Sequence, residues 1–142
     1  MKHTILCILG GILFFAFDSK DTANLHLEIT NIKSSKGAMM VAIYDSKANF
    51  PQGKITIKNR IADVKVGKMF VDIPNIPKGK YAVAIFHDVN DNRKIDKNFI
   101  GYPTEPFGFS KNFKPRVSAP KFEDCSIDIV EAKTKCHISL LD

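Results

Sequence analysis

The residues most able to do chemistry lie between Asp88 and Asp96, in the stretch His87-Asp88-Val89-Asn90-Asp91-Asn92-Arg93-Lys94-Ile95-Asp96. Oxygen-bearing side chains fall at Asp88, Asn90, Asn92 and Asp96, with the backbone carbonyl of Lys94 between them. These are positions 1, 3, 5, 9 and 7 of a calcium loop, where a chain wrapping a hard cation turns alternate residues inward. Ile95 would pin the loop to the domain. Ca²⁺, or another hard cation, is therefore the candidate cofactor. The carboxylate count is modest, which places affinity in the ~10⁻⁴–10⁻³ M class of extracellular modules.

Two positions depart from the pattern. Arg93 stands where the sharp turn favours Gly, and Phe99 stands where an EF-hand places its bidentate Glu. Glu105 is the nearest downstream carboxylate able to take that part. With a strand entering and no helix leaving, an EF-hand proper is excluded. The same composition also suits a metal-free loop, because Asp and Asn side chains bond nearby backbone amides and tolerate left-handed φ. Both readings stay open on the sequence.

Downstream, Gly101-Tyr102-Pro103-Thr104-Glu105-Pro106-Phe107-Gly108-Phe109-Ser110 leads into Phe113. Aromatics this dense must be buried or used. The stretch is either a lid packed on the domain or a binding surface built from His87, Tyr102, Glu105, Phe107, Phe109 and Ser110, fit for a protein, peptide or glycan. A hydrolase using His87, Asp88, Glu105 or Ser110 is the alternative of a different class. Adjacent strand residues such as His87 and Asp88 point to opposite faces, and no nucleophile elbow, zinc motif or P-loop is present. A non-enzymatic module is the expectation.

The elements that must position these groups read as strands. Leu25 to Thr30 alternates apolar and polar, and Ala38 to Tyr44 follows a Ser34–Gly37 bend, so the pair is expected as a hairpin. Lys54–Lys58, Ala62–Val66 and Met69–Ile73 alternate as well, before a proline-marked corner over 74–80. Tyr81 to Phe86 is nearly continuously apolar and predicts a central strand covered on both faces. Two further strands, around Cys125 and Cys136, complete about seven. With no capped 3.6-residue periodicity, the expected class is all-β, a single antiparallel sandwich or barrel with a long loop after its central strand.

Of the 142 residues, the first 19 read as a secretory leader: Lys2, an uncharged run from Thr4 to Phe17, then a polar exit. A buried N-terminal strand is the weaker reading, and the run is short for a permanent membrane span. The domain is then 20–142, exported to the periplasm or medium. The formal charge of +6 comes from scattered lysines without a dense basic stripe, which argues against nucleic acid as a partner. In an oxidising compartment Cys125 and Cys136 are either a disulfide across a terminal hairpin or two buried thiols.

The combined string Ile76-Pro77-Lys78-Gly79-Lys80-Tyr81, His87-Asp88-Val89-Asn90-Asp91-Asn92, Asp96, Gly101-Tyr102-Pro103-Thr104-Glu105 and Gly108-Phe109-Ser110 resembles the DUF2141 family of exported bacterial proteins, over residues 24–141. The resemblance implies a prealbumin-like or immunoglobulin-like sandwich and implies no activity. Members usually carry Gly where this chain has Arg93. The transthyretin-like cast also brings ureide hydrolases to mind, but those end in Tyr-Arg-Gly-Ser, and this chain ends Ser139-Leu140-Leu141-Asp142.

Overall fold

The computed structural model describes residues 21–45 and 50–142. The expected leader, residues 1–19, lies outside the described residues. Eight strands form two sheets: β1 (Thr22–Ile32), β2 (Ala38–Tyr44), β3 (Ile57–Ile61), β4 (Gly67–Pro77), β5 (Gly79–Asp88), β6 (Phe107–Phe109), β7 (Ser126–Ile129) and β8 (Lys133–Ser139). A three-stranded sheet has the order β4-β1-β8, and a five-stranded sheet has the order β3-β2-β5-β6, with β7 also paired to β5. All pairings are antiparallel except β1 with β8. The all-β sandwich expected from the alternation is the fold, with one strand more than anticipated. Its helical part is a single turn, α1 (Phe122–Cys125), and a 3₁₀ turn at Ser110–Asn112.

Side-chain phase explains which face each strand buries. In β1, Leu25, Leu27 and Ile29 point between the sheets. Its outward residues are polar and paired: His26 with Asp72, Glu28 with Lys68, Thr30 with His137. In β2 and β5 the two phases are both apolar. Met39, Val41, Ile43, Tyr81, Val83 and Ile85 join the inter-sheet core. Tyr44 and Ala82 join a second cluster on the outer face of the five-stranded sheet, with Phe50, Phe107, Phe109 and Phe122. Tyr81–Phe86 is central as expected, since β5 pairs with β2, β6 and β7, but its outer face is only partly covered, with Ala84 and Phe86 half-buried.

Four local expectations change. β1 and β2 are not a hairpin; they lie in different sheets. The chain crosses between the sheets at 33–37, and β1 pairs instead with β4 and β8. Gly37 permits the crossing, with φ +70° and no room for a side chain: a Cβ there would sit 1.9 Å from the Asp88 carbonyl oxygen. Residues 62–66 form no strand, because they too cross between sheets, with Val64 dropped into the core. The 54–58 strand begins only at Ile57.

The fourth change concerns the proline corner, which is a continuation of β4. β4 is an edge strand, where a missing amide donor is tolerated. Pro74-Asn75 bulge opposite Asn24, Asn75 takes φ +60°, and its N–H donates to Asn24 Oδ1 at 3.2 Å.

Candidate functional site

The Asp88–Asp96 side chains do converge, and their oxygens receive N–H donors. Asp88 is fully buried at the end of β5; its Oδ1 accepts the Asn92 amide at 3.0 Å and its Oδ2 the Arg93 amide at 2.7 Å. Asn90 Oδ1 accepts Asn92 N–H, and Asn92 Oδ1 accepts Lys94 N–H. The side-chain amides of Asn90 and Asn92 donate to the Asp96 carboxylate. Asp91 and Arg93 both take left-handed φ, +56° and +65°. Arg93 thus does what the expected Gly would do, steadied by the bond to Asp88. Among the described residues, no group of three or more His, Cys, Asp or Glu side chains is arranged to hold a metal ion.

Glu105 does not reach into that ring of oxygens. Buried, it clasps the loop from below: Oε1 accepts Val89 N–H at 3.0 Å and Oε2 accepts Asp96 N–H at 3.1 Å. His87 points between the sheets, with Nε2 2.7 Å from the Lys36 carbonyl. Ser110 is also buried, accepting from Val83 N–H at 2.9 Å and donating to the Cys125 carbonyl. Three of the six residues expected at a binding surface are therefore fastenings of the fold. The other three, Tyr102, Phe107 and Phe109, stand together on the outer face of the five-stranded sheet.

There they wall a groove of about 490 Å³. One rung of the sheet sets its floor: Lys58 on β3, Ala42 on β2, Ala84 on β5 and Phe109 on β6 lie side by side. Two alanines on paired central strands leave a trough, because the neighbouring rung carries Met40, Phe86 and Phe107. Backbone amides of these strands are consumed by the ladder, so the floor offers methyl groups and ring edges. Edge-on ring contacts form a chain: Tyr102 with Phe107 at 5.7 Å, Phe107 with Phe109 at 5.9 Å, and Phe109 with Phe50 at 6.0 Å. Residues of the 89–106 loop and residues 115–120 line it as well. Ile100 and Val117 stand at the mouth, 73% and 99% exposed.

Sequence reasoning pointed to the aromatic wall and missed the floor. The available signal was apolar character in both phases of β2 and β5 with small residues at Ala42 and Ala84. Covered faces with Ala in the middle leave space.

Cys125 and Cys136 are free, buried thiols. The terminal hairpin expected for them does not exist: β7 belongs to the five-stranded sheet and β8 to the other. Cys125 ends α1 and packs in the outer cluster, whereas Cys136 packs between the sheets. Burial pushes the Cys125 thiol up to about 12 and the Cys136 thiol up to about 11. Neither is a nucleophile at neutral pH.

Among the described residues, no helix is long and apolar enough to cross a membrane. No curated protein and no solved structure matches the chain. One family model does, over residues 27–137, a range that includes the Asp88–Asp96 loop and the aromatic segment just described. The chain belongs to DUF2141, a family described as an uncharacterized protein conserved in bacteria.

Proposed function

We propose that this domain is an exported, non-enzymatic binding module that receives an apolar ligand in the groove over Ala42 and Ala84. The observation that carries the reading is the asymmetry of the two outer sheet faces. The β4-β1-β8 face is polar and ion-paired except for Phe70, which stacks on His26 beneath Lys68. The other is apolar, yet Ala42, Ala84 and Phe86 remain partly open to solvent at its centre. Central strands with both phases apolar normally have that face covered, and a cleft of this size fits one small molecule. A glycan is disfavoured by the scarcity of hydrogen-bonding groups on the floor. Addition of a peptide strand is disfavoured because the floor is a sheet face rather than an edge.

Support for a non-enzymatic role comes from His87 and Ser110, which spend their polar atoms on backbone groups inside the fold. In this reading the Asp88–Asp96 loop is a self-bonded wall of the groove. Calcium is the competing reading, and millimolar Ca²⁺ raises the melting temperature only if the ion binds the folded state. An unchanged melt is expected; a rise reversed by chelator would restore the calcium loop. The export component rests on residues 1–19, and a periplasmic fraction containing a chain shortened by about 19 residues would bear it out.

The groove itself is tested with an uncharged solvatochromic dye such as Nile red. Its fluorescence should rise on adding the folded protein and fall back with Ala84→Phe, whose ring fills the trough without entering the inter-sheet core. Equal fluorescence with both proteins would reject the groove.

A further inference from the structure

Among the described residues, five cations line the groove and no carboxylate does. Lys58 comes from β3, Arg93, Lys94 and Lys97 from the 89–106 loop, and Arg116 from the 115–120 segment. None of the five takes part in the ion pairs formed among the described residues. Of the carboxylates in the neighbouring 88–105 segment, Asp91 pairs with Arg60 at 2.5 Å and also feels Arg93, while Asp88, Asp96 and Glu105 accept amide N–H groups. Amide bonds do not cancel a carboxylate's charge, so the cationic character is that of the groove lining itself, where five cations face the apolar trough and none of the described carboxylates does.

From this we infer that the ligand is a single-chain amphipathic carboxylate, a free fatty-acid anion, whose chain lies on the Ala42–Ala84 floor and whose head is held by the cationic rim. The inference rests on the groove being the binding site, as proposed above, and adds the charge and shape of what fills it. Beyond Lys58 at its β3 end, the floor presents methyl groups and ring edges, which suit an alkyl chain and give little to a polar body. The rim supplies long, mobile cationic side chains at several points around the mouth. These favour an anion electrostatically without demanding one fixed head-group geometry.

Calorimetric titration of the full chain with decanoate, below its micellar concentration, tests this directly. Decanoate should bind one to one, and affinity should tighten about fourfold for each methylene from octanoate to decanoate. Decanol should bind at least tenfold more weakly, and decyltrimethylammonium not measurably. The double variant Lys58→Glu/Lys97→Glu should lose tenfold or more for decanoate and little for decanol. Ala84→Phe should lose both ligands, and circular dichroism and melting checks that each variant is folded. Decanol binding as tightly as decanoate, with the double variant unaffected, would overturn the anion and leave the groove standing. Failure of both ligands would overturn the groove as well. Binding to phosphatidylglycerol vesicles without binding of monomeric decanoate would overturn the free carboxylate in favour of a membrane surface.

Discussion

The Asp88 carboxylate accepts two backbone N–H groups from a fully buried position, and those bonds hold Asn92 and Arg93 in the turn. A buried charged acceptor of this kind is strongly stabilising, and its loss leaves both amides unpaired. Asp88→Ala should cost about 3 kcal/mol in denaturant unfolding, with Asp88→Asn losing roughly half as much because one oxygen remains. Equal stability in all three proteins would show that the loop is held by something else. The oxygen spacing was readable in the sequence because it follows alternate residues. Which partner each oxygen takes was not readable, since N–H donors and a cation ask for the same side chains at the same positions. Glu105 is the instructive residue: its carboxylate was anticipated near the loop, but as a ligand rather than a clasp.

The thiols give a pH dependence at the same scale. Both folded-state values lie above the ordinary thiol value of 9.0, at about 12 and about 11. The unfolded chain therefore releases these protons first as pH rises. Their stabilising contribution is complete below pH 9.0 and declines by about 1.4 kcal/mol per pH unit per thiol until the folded values are reached. Urea unfolding between pH 8 and 11 should show this decline, and Cys125→Ala should make it shallower. A variant with an unchanged slope would remove Cys125 as the source.

At the scale of elements, the crossings between sheets decide the fold. Strand identity was legible wherever alternation was clean, as in Leu25–Thr30, or wherever an apolar run was long, as in Tyr81–Phe86. Partnership was not legible. A Gly-marked bend looks the same whether the next strand pairs with the last or crosses to another sheet. Gly37 makes the distinction measurable. Gly37→Ala puts a methyl group against the Asp88 and Val89 backbone at left-handed φ, with no flexible side chain to yield. A loss of 3 kcal/mol or more is expected, well beyond the ~1 kcal/mol of a simple positive-φ penalty. Gly101, also at positive φ but with open space around it, should show only the smaller penalty as Gly101→Ala. Similar costs at both positions would contradict the close approach of β5 to this crossing.

For the whole molecule, two sheets enclose one core while a second apolar cluster lies outside them. That second cluster is incompletely covered, and the opening is where the aromatic segment, the Asp/Asn loop and residues 115–120 meet. Long-range convergence of this sort was beyond the sequence, because Ala42, Ala84 and Arg116 come from three distant segments and are individually unremarkable. The aromatic wall was visible only because its residues are neighbours in the chain.

A backbone ¹H–¹⁵N chemical-shift titration with decanoate locates the ligand within this architecture. The expected result is saturable change at the amides of Ala42, Ala84, Phe86, Phe109 and Lys97, with His26, Asp72 and Lys135 on the polar face unmoved. Shifts confined to the β4-β1-β8 face, or no saturable shifts at all, would contradict a binding site over the Ala42–Ala84 floor.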